Sequence, residues 1–186
     1  PGEEARCRYG LLLKQQGKPI PQTWEDLAKP DYKGLIAVAN PNTSGTAYTT
    51  LVTILLLKGE EKGWDYLSRL HKNVAQYTKS GSAPGQLAGR GEVAIAIVFL
   101  HDAVLFAEEG FPVKPLSPAD GTGFEIGGLS LIKGAPHKET AKKFIDWALQ
   151  PENQAIAKNF RSFQLQSNKN TPLPEVVKKH GVDFQN

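Results

Sequence analysis

The apolar positions of this chain fall into runs of two kinds. Val93-Ala94-Ile95-Ala96-Ile97-Val98 is continuous and opened by Gly91-Glu92, and Leu35-Ile36-Ala37-Val38-Ala39 is continuous and released by Gly34. Short apolar runs bounded by turn residues read as buried strands. From Ala47 to Lys58 the apolar residues Ala47, Leu51, Ile54 and Leu55 recur at helical spacing, and Val52, Leu56 and Leu57 widen the face, so a largely buried helix ended by Gly59 is expected. Glu60 to His71 makes a second, more amphipathic helix carrying Trp64, Leu67 and Leu70. A polar strand, Val74 to Thr78, follows, and Pro84 opens a short helix through Leu87. Together these elements read as an open α/β sheet, in which ligands sit at the carboxyl edge of the strands.

The remaining elements are more scattered. Thr23-Trp24-Glu25-Asp26-Leu27 places a cap residue three positions before an acid, the signature of a short helix. Ala103 to Glu109 reads as a helix closed by Gly110, Phe111 to Leu116 as a short extended piece, and Phe124 to Ile132 as a strand whose paired glycines permit close backbone approach. Pro136 opens the clearest helix, with Ala141, Phe144, Ile145, Ala148 and Leu149 on one face, and Pro151 starts another that runs to about Phe160. The tail, Gln166 to Asn186, contains Pro172 and Pro174 and is expected to wrap a surface rather than add core.

Composition narrows the function classes. With 186 residues and 40% hydrophobic content the chain can bury one domain's core, or one domain plus part of another. Its basic residues lie scattered among 19 acids with a net charge of +3 and form no run, which argues against nucleic acid as a partner. Cys7 is the one cysteine, so neither an internal disulfide nor a cysteine-built metal site can form. The densest apolar stretch, Leu51 to Leu57, falls well short of the roughly 18 residues a membrane-spanning helix needs. The chain starts at Pro1 and contains no methionine, so an amino-terminal part is expected to have been removed, and a secretory signal could have been in it.

Four turns converge in this reading: Ser44-Gly45-Thr46, Ser80-Gly81-Ser82, His101-Asp102, and Glu125 beyond Gly121-Thr122-Gly123. Two of them are strand-to-helix turns of small polar residues, which aim backbone N–H groups, hydroxyls and a helix dipole at one spot and so suit an anion such as phosphate. His101, Asp102 and Glu125 would supply directional hydrogen bonds to hydroxyls or an amine. Each signal also has a plainer reading. Ser44 and Ser82 fit simple helix caps, His101-Asp102 fits a cap before the Ala103 helix, Glu125 fits a solvated strand residue, and Tyr48 and Tyr77 fit core or rim aromatics. No Gly-x-Ser-x-Gly turn, His-Glu-x-x-His, P-loop or dinucleotide fingerprint occurs. A binding protein fits better than an enzyme, with no cofactor and no resident metal expected.

The order of motifs carries a resemblance from about Gly17 to about Phe160. They are Pro21-Gln22-Thr23-Trp24-Glu25-Asp26-Leu27, Pro30-Asp31-Tyr32-Lys33-Gly34, Asn40-Pro41 through Ser44-Gly45-Thr46, and Gly91-Glu92-Val93-Ala94. Gly121-Thr122-Gly123-Phe124-Glu125-Ile126-Gly127-Gly128, Leu131-Ile132-Lys133-Gly134-Ala135 and Ala141-Lys142-Lys143-Phe144-Ile145-Asp146-Trp147 follow. The chain resembles the carboxyl-terminal part of a two-lobed, type 2 periplasmic substrate-binding protein that feeds an ABC importer. The subfamily includes ferric-iron, aminoethylphosphonate and sugar-phosphate binders. Iron binders carry two adjacent tyrosines after the strand that is Val93 to Val98 here, and this chain has Leu100-His101-Asp102 there. Sugar-phosphate binders are more similar, and their pattern carries over onto Ser44, Gly45 and Thr46 for phosphate and onto His101, Asp102 and Glu125 for sugar hydroxyls.

The resemblance implies an α/β fold, type 2 periplasmic binding protein-like, with a complete second lobe over 11–116, a hinge and crossing strand over 117–135, and helices and tail of a partial first lobe over 136–186. It implies capture of a small anionic, phosphorylated organic ligand, delivery to a membrane permease, and a periplasmic or cell-surface location. A partial first lobe would leave the late helices' apolar faces uncovered, so a partner chain, a dimer or swap, or repacking is expected. A ferric-iron carrier and a hydrolase of phosphate esters are the alternatives.

Overall fold

Ile36–Ala39 (β1), four residues all buried, is the centre of a three-stranded parallel sheet in the computed structural model, which describes residue 13 and residues 16–181. Val74–Thr78 (β2) pairs on one side, with Val38 opposite Tyr77 and Ala39 opposite Thr78, and Ile95–Ile97 (β3) on the other, with Ile36 opposite Ile95 and Val38 opposite Ile97. Successive side chains of a strand point to opposite faces, so the continuous apolar run of β1 has to be covered twice. On one face Ile36 and Val38 join a cluster with Trp24, Leu27, Tyr32, Ile54, Tyr66 and Leu70. On the other Ala37 packs with Leu87, Ala88 and Val93. The α/β reading of the sequence therefore describes the molecule.

The covering helices are Trp24–Leu27 (α1), Gly45–Lys58 (α2), Glu60–His71 (α3) and Ala83–Gly89 (α4), and Leu100–Glu108 (α5) follows β3. Thr23 forms the expected capping box at α1, its hydroxyl accepting from the Asp26 amide while the Asp26 carboxylate accepts from the Thr23 amide. Asp120 adds a second anchor there, since both of its carboxylate oxygens accept from the Trp24 amide, at 3.1 and 3.2 Å. Trp24 Nε1 donates to the Gly121 carbonyl at 2.8 Å. Tyr66 is fully buried with its hydroxyl donating to the Trp24 carbonyl, and burial raises its phenol pKa.

The chain divides into two units, Pro1–Phe124 and Glu125–Asn186. The second contains Lys138–Ala148 (α6), Pro151–Gln154 (α7), a 3₁₀ turn over Ala155–Phe160 and Glu175–Lys179 (α8). Among the described residues no helix is long and apolar enough to cross a membrane. Cys7 and the Leu11 boundary lie outside the described residues.

Four expectations change. Helix α2 is not largely buried: Ala47, Thr53 and Ile54 are covered, while Leu56 and Leu57 are 81% and 46% exposed. Its apolar residues run around the helix, and the sheet and α3 cover one side. Helix α5 begins at Leu100 instead of Ala103, because Phe99 takes the extended N-cap conformation and its carbonyl accepts from the Asp102 and Ala103 amides. The stretch from Phe124 to Ile132 is no strand, having no ladder partner among the described residues, and Gly127 and Gly128 stand in open space. The tail does add core, since Val177 on α8 is 1% exposed.

Candidate functional site

Parallel strands put the turns that follow them on one edge of the sheet. Here β1 leads through Asn40–Ser44 into α2, β2 through Lys79–Ser82 into α4, and β3 through Val98-Phe99 into α5. With the order β2-β1-β3, the chain leaves β1 toward β2 and returns past it to β3, which makes the carboxyl ends of β1 and β3 a topological switch point. Neighbouring strands lie about 4.8 Å apart, so the turns after β2 and β3 are separated by roughly twice that distance.

Ser44 is the N-cap of α2, in extended conformation and 9% exposed, with its hydroxyl oxygen accepting from the Ala47 amide at 3.4 Å. The plain cap reading thus holds for Ser44, although a hydroxyl that accepts still has its own proton to donate. Gly45 and Thr46 are the first two helical residues, whose amides have no partner within the helix. The loop is ordered from below. Asn40 Oδ1 accepts from the Asn42 amide at 2.9 Å, and the Asn40 amide donates to the Thr78 carbonyl at 2.8 Å.

The turn after β2 is in contact with this one. Thr43 Oγ1 donates to the Lys79 carbonyl at 3.1 Å. The Thr78 hydroxyl donates to the Ser80 carbonyl at 2.8 Å, and the Ser80 and Ser82 hydroxyl oxygens lie 3.4 Å apart. Gly81 sits directly against Ser44 and Thr46: a Cβ added to it would come within 2.7 Å of the Thr46 Cβ and 2.9 Å of the Ser44 hydroxyl oxygen. Ser82 precedes α4 in helical conformation without a side-chain capping bond, so the cap reading fails for it.

His101 and Asp102 occupy the first turn of α5 instead of the end of β3. Their side chains are 26% and 20% exposed, with Nε2 3.6 Å from Oδ1, and the imidazole stacks on Phe99 with centroids 5.5 Å apart. Burial lowers the His101 pKa and raises that of Asp102, and in each case the charge of the neighbour opposes the shift in part. Glu125 is the first residue of the second unit and is exposed. Tyr77 is a rim residue, its hydroxyl 2.9 Å from His71 Nδ1. No group of three or more His, Cys, Asp or Glu side chains that could hold a metal occurs among the described residues.

Sequence reasoning passed over three contributors: Thr43, which ties the two turns together; Phe99, which supports the imidazole; and the close approach at Gly81. A glycine between two serines and an aromatic two positions before the histidine were the available signals.

The model of the family described as "Bacterial extracellular solute-binding protein" matches residues 14–185. The solved structure of the periplasmic binding protein AfuA from Actinobacillus pleuropneumoniae, with exogenous fructose-6-phosphate bound, is 44% identical with a TM-score of 0.83, covering 90% of this chain and 53% of that one. The periplasmic binding protein P5PA is 36% identical with a TM-score of 0.81, covering 92% of this chain and 55% of that one. An uncharacterized protein of Haemophilus influenzae is 45% identical over 181 residues, 94% of this chain and 52% of that protein. The fold is thus that of periplasmic binding proteins, and the chain spans about half the length of the relatives it matches.

Proposed function

The chain belongs to the family of bacterial extracellular solute-binding proteins, and from that premise we propose that it captures a small phosphorylated organic anion for delivery to the permease of an ABC importer. The observation that carries this reading is the contact between the turns after β1 and β2, which brings the Ser44 and Ser80 turns and the first amides of α2, without partners inside the helix, to one edge. Ser44, Gly45, Thr46 and Ser80 hold the phosphate, while His101 and Asp102 on the neighbouring strand's helix take sugar hydroxyls. A partly buried neutral imidazole beside a carboxylate makes directional hydrogen bonds without bringing net positive charge. That AfuA holds fructose 6-phosphate supports the ligand class.

The same reading assigns 11–116 to the second lobe, 117–135 to the hinge and crossing segment, and 136–186 to the first lobe. It places the protein in the periplasm or at the cell surface and gives it no catalytic step. Phe144, Trp147 and Leu149 are 56%, 49% and 49% exposed, a surface that pairing between two copies or a swap would cover. Sedimentation velocity tests that part: a dimer is expected, and a strict monomer over the whole concentration range overturns it.

Ferric iron has less behind it, because Leu100-His101-Asp102 offers no tyrosine. A two-dimensional NMR titration of the chain with fructose 6-phosphate, fructose, inorganic phosphate, aminoethylphosphonate and ferric citrate decides between the ligands. Fructose 6-phosphate is expected to shift the amides of Ser44–Thr46 and of His101 and Asp102, and to stay intact. Shifts with ferric citrate alone, or release of inorganic phosphate that His101→Ala abolishes, overturn the proposal.

A further inference from the structure

Glycines are placed for two different reasons, and Gly81 separates them. Where φ is positive, as at Gly34 or Gly59, an L side chain would strain the backbone. Gly81 is not among the residues with positive φ, so its backbone would accept any residue. What it lacks is room. The atoms a Cβ would strike are the Thr46 hydroxyl and Cβ and the Ser44 hydroxyl, the side chains of the facing turn, and the chain on both sides of Gly81 is partly exposed. Gly85 is crowded instead by the buried Phe106 ring, which marks it as a packing position.

We propose that Gly81 is a positioning residue of the anion site, holding the turn after β2 close enough to the N-terminus of α2 for both turns to contact one phosphate. The inference rests on the function proposed above and extends it to a residue that makes no side-chain contact with ligand. A methyl group at position 81 drives Thr46 and Ser44 away from the second turn. Phosphate then meets one turn instead of two, while the buried clusters on the two faces of β1 include none of Ser44, Thr46 and Gly81.

The test is a double-mutant cycle on the chain, read by NMR titration with fructose 6-phosphate beside thermal unfolding. Gly81→Ala is expected to weaken binding by about tenfold or more, on the scale of losing one charge-assisted hydrogen bond, with an unfolding temperature close to wild type. Thr46→Gly removes the clashing side chain and its hydroxyl and weakens binding by itself. Adding Gly81→Ala to Thr46→Gly is expected to cost less than Gly81→Ala costs alone, because the two nearest contacts have gone and only the approach to the Ser44 hydroxyl at 2.9 Å remains. Wild-type affinity in Gly81→Ala overturns the inference while the functional reading stands, and so does a double variant whose losses simply add. No binding of fructose 6-phosphate by the wild-type chain overturns the reading and the inference together. A Gly81→Ala chain that unfolds far below wild type assigns the glycine to packing and also overturns it.

Discussion

Helices α3 and α6 are close in length, 12 and 11 residues, both are amphipathic, and they end in different surroundings. In the first unit Tyr66 and Leu70 of α3 are buried against β1 and α1, whereas α6 in the second unit has no buried residue, and its Phe144 and Trp147 rings stack on each other in the open. The difference lies in what each helix is offered. A parallel sheet with two apolar faces takes a helix on each, and all three strands among the described residues belong to the first unit. Helical periodicity says which face of a helix seeks cover and nothing about whether cover exists.

The largest effect should come from cutting into the covered helix. Tyr66→Ala removes a fully buried ring and the hydrogen bond to the Trp24 carbonyl, and is expected to cost about 3–5 kcal/mol in chemical denaturation. Trp147→Ala on α6 should stay within about 0.5 kcal/mol in the same measurement made at concentrations where the chain is monomeric, as exposed substitutions do. Equal losses in the two variants under those conditions would break the comparison and mean that α6 is covered within the single chain.

Smaller is the loss at the anchor between Asp120 and α1. Asp120→Ala leaves the Trp24 amide without its carboxylate acceptor and should lower stability by about 1 kcal/mol, as loss of a cap does. If no loss appears, the Thr23 capping box alone secures that helix end.

The His101–Asp102 pair should give the first unit a pH dependence with a definite sign. Because burial lowers the His101 pKa, the fold favours the neutral ring; the stability this supplies is complete above the ordinary imidazole value and is lost as pH falls through the lowered one. Asp102, raised by burial, acts oppositely: its contribution is complete below the ordinary carboxylate value and is lost as pH rises through the raised one. Between about pH 8 and about pH 6 the imidazole dominates, so the unfolding temperature should drop on acidification, and His101→Gln should flatten that slope. An unchanged slope in the variant would remove His101 from the account.

The smallest effect belongs to the open helix. Glu139→Gln breaks the exposed pair with Lys142, whose atoms are 3.0 Å apart, and should cost a few tenths of a kcal/mol at most, vanishing at about 0.5 M salt. A larger, salt-resistant loss would show the pair to be shielded.

Much of the fold was legible along the chain. The ranges of β2 and α3 match the residues read from pattern alone, and β1 differs by one residue, because continuous or amphipathic runs closed by glycine and flanked by turn residues leave few other arrangements. The stretch from Phe124 to Ile132 misled for a reason built into strands: alternation can be read locally, but a ladder partner cannot. The candidate site was legible as types of turn and not as a geometry. Small polar residues after strands marked Ser44–Thr46 and Ser80–Ser82, yet nothing along the chain states that Gly81 lies against Thr46, or that Phe99 ends the strand early and carries His101 and Asp102 onto a helix.

The sequence by itself determined the local conformations and the faces that need burial, because these follow from side-chain size, branching and spacing within a few residues. Only the tertiary structure decided which of those faces are covered and which turns touch, because both depend on residues from opposite ends of a crossover meeting at one edge of the sheet. A glycine and a threonine 35 positions apart acquire a shared meaning only there.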